Sequence, residues 1–109
     1  MKYALIAAVI VLMSWGQPAV AFGYTAIGEG ISSCGKWTKS SRQDGLLHWQ
    51  RKQWVLGFVS AARIFLRSNF AENTDAHAMM GWIDNYCRDN PLDDITDATI
   101  ALVIALKKR

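Results

Sequence analysis

The segment WIDNYCRDNP, residues 82–91, concentrates side chains whose types and spacing could do chemistry. Cys87 is a candidate nucleophile, and Asp84 or Asp89 is a candidate carboxylate to assist it. Arg88 is a candidate binding residue for an anion. A cysteine attacks as the thiolate, which requires a lowered pKa and a base nearby. The segment therefore presents two alternatives, a catalytic centre or a structural junction.

The two histidines are the candidate bases for such a thiol, and they also belong to a candidate zinc set. Cys34, His48, His77 and Cys87 are ligand types that zinc prefers, but the tight C-x-x-C, H-x-x-x-H and H-E-x-x-H spacings are missing. No local protease signature surrounds either cysteine. We therefore expect no thiol catalysis and no metal, with His48 on a helix surface and His77 in a first helical turn.

Other enzyme signatures are incomplete. GFVSA, residues 57–61, is not the G-x-S-x-G elbow of serine hydrolases, so Ser60 is interpreted as a packing residue. GEG, residues 28–30, is not a phosphate loop because no Lys-Ser/Thr follows it. Asp93 and Asp94 are better interpreted as charges at a helix N-terminus than as a glycosidase pair. The sequence predicts a protein that is not an enzyme and has no cofactor.

The N-terminus has the layout of a secretory signal peptide. Lys2 precedes an apolar run over residues 4–13, and an A-x-A motif ends at Ala21. The run is shorter than the roughly 20 residues that a spanning helix needs, which argues against a membrane anchor. We expect a signal peptide at residues 1–21 and a single helical domain at 22–109, located in the periplasm or secreted.

Export bears directly on the cysteines. In an oxidising compartment Cys34 and Cys87 have one intramolecular pairing open to them. Closing a loop of this length should stabilise the fold by about 4 kcal/mol on the chain-entropy model. The net stability of a small domain is only about 5–15 kcal/mol. We therefore predict a Cys34–Cys87 disulfide, with free thiols or an intermolecular bridge as the alternatives.

The charge balance calls for no polyanionic partner. The chain has 12 Lys and Arg against 9 Asp and Glu, and removal of Lys2 lowers the net charge from +3 to +2. HWQRKQW, residues 48–54, mixes aromatic and basic side chains, but a helix start with half-buried Trp residues explains it more simply. We expect other proteins as partners, and neither nucleic acid nor a membrane surface.

The periodicity of apolar residues predicts an all-α fold, a small bundle of three main helices plus a short N-terminal helix, pinned by one disulfide. The short helix lies around Cys34 and Trp37 and follows an irregular leader. The central helix covers residues 46–69 and is expected to be the most buried. The third helix follows a cap at Asn73 or Thr74, and the last helix starts near Asp93, after Asn90-Pro91.

Helical spacing also predicts which faces are buried. The predicted face of the central helix is Leu47, Trp54, Phe58, Ala61 and Phe65, widened by Val55, Val59, Ala62 and Leu66. Its small residues, Gly57, Ser60 and Ala61, would let another helix approach, and Arg63 and Arg67 lie on the solvent side. The predicted faces of the other two helices are Met79, Ile83, Tyr86 and Cys87, and Ile95, Ala98, Leu102 and Leu106.

The layout resembles the HdeA/HdeB family of small periplasmic acid-stress chaperones. The matching parts are a signal peptide, SCGKW at 33–37, WVLGFVSAA at 54–62 and WIDNYCRDNP at 82–91, and the likeness covers residues 33–106. A second, weaker resemblance is to the Rap1a/Tai group of secretion-system immunity proteins, which are also small, exported, helical and disulfide-bonded. The Rap1a/Tai pattern usually carries more cysteines than the two found here.

The first resemblance implies a mechanism that the composition permits. Such chaperones are folded and often dimeric near neutral pH, so the resemblance also implies a possible homodimer. In acid they loosen and expose apolar surface to unfolding clients. Acid would neutralise the carboxylates and leave the basic residues positive, so self-repulsion would open a marginal domain while the disulfide limits the opening. The implied client or partner surface is Trp54, Phe58, Phe65, Met79 and Met80. The second resemblance implies an immunity protein that binds and inhibits a secreted toxin.

Overall fold

The computed structural model describes residues 25–109, so the predicted signal peptide at 1–21 lies outside the described residues. A 3-10 turn at Gly28–Ile31 leads into four helices. We name these α1 (Cys34–Gln43), α2 (Leu46–Leu66), α3 (Ala76–Asp89) and α4 (Ile95–Lys107). The predicted all-α bundle with one disulfide is confirmed.

Side-chain caps start three of the four helices. Ser33 accepts a hydrogen bond from the backbone N–H of Lys36 at the start of α1, and Asp75 does the same for Ala78 at the start of α3. The cap of α3 is thus Asp75, the residue that follows the two predicted caps, Asn73 and Thr74. Capping satisfies backbone donors that a helix cannot pair internally, which fixes where the helix begins.

The cap of α4 is a reciprocal capping box. The Asp94 side chain accepts from the backbone of Asp97, and the Asp97 side chain accepts from the backbone of Asp94. This places the first turn of α4 one residue after the predicted start near Asp93. The Asp94 and Asp97 carboxylates at the positive end of the helix agree with the prediction from the helix dipole.

Helix α4 is the most enclosed helix of the bundle. It packs against α1, α2, α3 and the 3-10 turn. All four of its predicted core residues, Ile95, Ala98, Leu102 and Leu106, are buried. The core also includes Trp37 of α1 and Ile83 of α3, both fully buried. The bundle is therefore built around α4.

The prediction that the central helix is the most buried is wrong. Only four of the 21 residues of α2 are buried, and they are His48, Arg51, Val55 and Val59. Of the predicted face, Leu47, Phe65 and Leu66 are exposed. A side chain at Gly57 would meet nothing within 4 Å among the described residues, so the small residues there receive no neighbouring helix.

The end of α2 explains part of this difference. Arg67 adopts a left-handed conformation with φ of 50° and ends the helix three residues before the predicted boundary. The Arg63 guanidinium, expected in solvent, is half-buried and donates to the backbone carbonyls of Phe70 and Ala71 at 2.9 and 2.8 Å. These bonds fold the chain back toward Arg63, so the side chains of Ile64, Phe65 and Leu66 are left exposed.

Candidate functional site

The predicted disulfide joins the start of α1 to the last turn of α3. Cys34 and Cys87 are fully buried, with their Cα atoms 4.6 Å apart. The backbone N–H of Cys34 donates to the Asp93 carbonyl at 2.7 Å, and that of Gly35 donates to the Pro91 carbonyl at 3.0 Å. The segment WIDNYCRDNP is therefore a structural junction. Cys87 is bonded to sulfur and is not available as a nucleophile.

The polar residues of the same segment are also engaged in the fold. Asp84 accepts a 2.7 Å hydrogen bond from the indole N–H of Trp37, which links α3 to α1. The Tyr86 hydroxyl donates to Asp93 at 2.6 Å, and this bond, with burial, raises the pKa of Tyr86 to about 12. A phenol with so high a pKa stays protonated at physiological pH, so Tyr86 keeps its hydrogen bond across the α3–α4 turn.

His48 is buried, which corrects its predicted place on a helix surface. It is only 5% exposed, and its Nδ1 atom lies 2.9 Å from the hydroxyl of Ser40 on α1. The Trp37 ring packs edge-on against the imidazole at 4.8 Å. Burial, helped by the positive charge of Lys52, lowers the pKa of His48, which favours the neutral imidazole. His77 is exposed in the first turns of α3.

The Ser40–His48 pair resembles a nucleophile with its base, but its hydrogen bonding is structural. The Ser40 hydroxyl also donates to the Trp37 carbonyl at 3.0 Å, within its own helix. Both side chains are buried, and the pair joins α1 to α2.

The most informative arrangement around the predicted client surface involves Trp54. We call residues 27–31 the leader turn. The Trp54 indole N–H donates to the Ile27 carbonyl at 2.8 Å, and any Cβ atom added at Gly30 would collide with the six-membered ring of Trp54. Phe58 lies beside Trp54, with ring centroids 5.5 Å apart. The leader turn therefore lies against Trp54, and Phe58 packs beside the same indole ring.

A carboxylate holds the leader turn in place. Arg51 is 6% exposed, and its Nε atom lies 3.0 Å from Glu29 Oε2. The same guanidinium donates to the Lys36 carbonyl at 3.2 Å, and Ser32 donates to Glu29 at 3.0 Å. The Thr96 hydroxyl of α4 donates to the Gly30 carbonyl at 2.9 Å. An irregular leader was expected, and no local signal predicts this anchor, because Glu29 and Arg51 are 22 residues apart.

The five residues of the implied client surface lie in different environments. Phe65 is 84% exposed at the end of α2, whereas Met79 is buried between helices α2 and α3. Trp54, Phe58 and Met80 are half-buried against the core. Met79 can contact a client only after α2 and α3 separate. Phe65 is accessible without any such change.

The four candidate zinc ligands, from which no metal site was expected, do not form a common cluster. Within residues 25–109 no group of three or more His, Cys, Asp or Glu side chains is placed to hold a metal ion. Cys34 and Cys87 bond to each other, while His48 is turned toward Ser40. In the same range, no helix combines the length and apolar character needed to cross a membrane.

No family model, curated protein or solved structure matches this chain. The function is therefore argued from the geometry of its own residues.

Proposed function

We propose that this protein is an exported, non-enzymatic acid-stress chaperone of the HdeA/HdeB type. It binds unfolding periplasmic proteins through apolar surface that becomes accessible at low pH. The observation that carries the proposal is the leader turn, which lies against Trp54 and is tied down by the Glu29–Arg51 ion pair. A carboxylate is thus part of the contact that covers an aromatic surface.

Strong acid neutralises carboxylates in general, and the contact between the leader turn and α2 depends on one of them. Without the charge of that carboxylate, the buried Arg51 guanidinium has no counter-ion. An uncompensated buried charge is strongly destabilising, so the leader turn and Arg51 separate toward water. Trp54 and Phe58 then become accessible to clients. Their large apolar faces suit promiscuous contact because they need no specific hydrogen-bond partner.

The overall charge adds to the same response. The nine acidic residues all lie in the described part of the chain and lose their charge in strong acid, while the 11 Lys and Arg that are left after removal of Lys2 stay positive. The resulting repulsion favours an expanded state. The Cys34–Cys87 bond spans 53 positions and keeps α1 joined to α3. The expanded chain therefore remains tethered and closes again when the pH rises.

The start of α4 responds to acid in the opposite sense. Burial and the neighbouring carboxylate of Asp94 raise the pKa of Asp97 above its ordinary value. The folded state therefore takes up this proton more readily than the unfolded state, and protonation relieves repulsion between the two carboxyl groups. Acid consequently releases the leader turn, whereas the first turn of α4 stays folded to lower pH.

The direct test is suppression of aggregation. The protein of residues 22–109 is mixed with an unrelated, acid-denatured protein near pH 2–3, and light scattering is followed. We expect scattering to fall as the protein approaches stoichiometric amounts. Unchanged scattering at stoichiometric excess would refute the chaperone proposal. A tight one-to-one complex with a single toxin near neutral pH would instead support the immunity-protein alternative.

The trigger is tested separately with Glu29→Gln, which removes the charge but keeps a similar shape. We expect this variant to bind an apolar dye near pH 7, where the unaltered protein does not, because Trp54 is no longer covered. Glu72→Gln is the matched control, since Glu72 is exposed and lies outside the leader turn. If both variants keep the unaltered dye profile, the Glu29–Arg51 pair is not the trigger, even where chaperone activity is found.

A further inference from the structure

Helix α1 presents a row of cationic side chains. Lys36, Lys39 and Arg42 are spaced three residues apart, all three are exposed, and α1 contains no acidic residue. Lys36 lies in the first turn, where the helix dipole disfavours a positive charge. The helix dipole therefore explains Arg42, in the last turn, but does not explain Lys36.

Two concavities flank this row. One has a volume of about 450 Å³ and lies between α1 and α2, with Lys36, Lys39 and Arg51 among its lining residues. The other has a volume of about 490 Å³ and lies beside the disulfide, with Lys39, Arg42 and Arg88 among its lining residues. Lys39 borders both concavities. We call the cationic row of α1, together with the concavity on each side of it, the basic groove.

The cations of the basic groove are largely uncompensated. The ion pairs of the described residues are Arg51 with Glu29, Lys52 with Asp44, and Arg88 with Asp89. Lys36, Lys39 and Arg42 therefore have no carboxylate partner within residues 25–109. All nine Asp and Glu residues of the chain belong to this range, so no other segment of the same chain supplies one. No acidic residue lines either concavity.

We propose that the basic groove binds an acidic segment of another protein. Carboxylates of such a segment would pair with Lys36, Lys39 and Arg42, while its backbone lies along α1. Leu47 and Pro91 give the two concavities apolar walls, against which intervening side chains can pack. This proposal goes beyond client binding in acid because it requires a folded protein and a partner with ionised carboxylates.

The lining residues favour a protein segment over other polyanions. Single-stranded nucleic acid binds through stacking of bases on aromatic side chains, and no aromatic residue lines either concavity. A flat anionic membrane surface would meet the ridge of α1 but would not enter concavities on both sides. A narrow chain with alternating carboxylate and apolar side chains can lie along α1 and place side chains in the concavities beside it.

The test uses the protein of residues 22–109 and a short peptide of alternating Glu and Ala, near pH 7 and at low ionic strength. Lys39→Glu/Arg42→Glu is compared with Lys107→Glu/Lys108→Glu, which makes the same change of net charge at the exposed end of α4. We expect the first variant to bind the peptide at least about tenfold more weakly, since like charges then face each other. The second should stay within about twofold of the unaltered protein.

Further measurements separate the other outcomes. Circular dichroism establishes that each variant is folded, and Lys39→Ala/Arg42→Ala provides a milder change in which binding should weaken without charge reversal. Replacing every Glu of the peptide by Gln should abolish binding. Equal losses in the two charge-reversed variants would show attraction by net charge alone and overturn the proposal. Tighter binding of a single-stranded oligonucleotide or of phosphatidylglycerol vesicles through Lys39 and Arg42 would also overturn it.

Discussion

Helices α4 and α2 use their apolar residues in different ways. Six of the 13 residues of α4 are buried, whereas α2 buries four of 21, and two of those four are His48 and Arg51. Helix α4 packs against all three other helices and the leader turn, so its inner face is enclosed. Helix α2 leaves Leu46, Trp49 and Phe65 exposed. The longer of these two helices therefore buries the smaller share of its residues.

The two regions have different roles in the fold. The junction of α1, α3 and α4 contains the disulfide, fully buried Trp37 and the capping box, and it carries the stability of the domain. Helix α2 contributes Val55 and Val59 to the buried apolar core and holds Trp54, against which the leader turn lies. The proposed function needs both parts, one that remains tethered in acid and one that opens.

Loss of the disulfide should have the largest effect on stability. Cys34→Ala/Cys87→Ala keeps both sites apolar and should lower the free energy of unfolding by about 4 kcal/mol, because the unfolded chain is no longer constrained. Denaturant unfolding with and without reductant measures the loss. If the unfolding free energy does not change, the junction is held by its backbone hydrogen bonds alone.

A truncation in each helix should separate α4 from α2. Leu102→Ala removes a side chain that is 1% exposed and should cost about 3 kcal/mol, from lost burial and the cavity it leaves. Phe65→Ala removes a larger side chain that is mostly in solvent and should change stability by no more than about 0.5 kcal/mol. Similar losses for the two variants would contradict the comparison between the helices.

The capping box should contribute less than the core. Asp94→Ala removes the acceptor at the start of α4 and should cost about 1 kcal/mol. Asp89→Ala is the control, because Asp89 lies at the last residue of α3, where a negative charge is not favoured by the helix dipole. The thermal unfolding temperature near pH 7 should be lower for Asp94→Ala than for the control. The reverse order would show that the cap does not limit the stability of α4.

His48 should produce the smallest effect, seen only as a pH dependence. Since its pKa is lowered in the folded state, its contribution is fully present above the unfolded-state value of 6.5 and is lost as the pH falls below it. His48→Gln should therefore flatten the loss of stability on the acid side of that value. His77→Gln, at an exposed position, is the control. If stability falls equally steeply with pH in His48→Gln, another group causes this pH dependence.

Much of the fold was predictable from local signals. The buried face of α4 follows the spacing of Ile95, Ala98, Leu102 and Leu106, and the structure buries all four. A pair of cysteines permits one intramolecular connectivity, which made the disulfide predictable as well. These features depend on residues within one helix or on simple chemistry, so neighbouring elements had little power to alter them.

The candidate site was less predictable. Apolar residues extend around much of α2, so spacing alone did not select the stripe that includes Val55 and Val59 as the buried one. Trp54 was predicted to belong to a client or partner surface, but nothing near it in the sequence indicates that Ile27 and Gly30 lie against its ring. Helical periodicity describes the faces of a helix and does not describe which neighbours it will meet.

The sequence by itself determined the helical class, the pairing of Cys34 with Cys87 and the inner face of α4. Tertiary structure alone decided that His48 and Arg51 are buried, that α2 keeps Phe65 in solvent, and that the leader turn covers Trp54. The physical reason is the range of the forces involved. Caps and helical spacing act over three or four residues, whereas burial and ion pairing depend on segments that are distant in sequence and meet only in the folded chain.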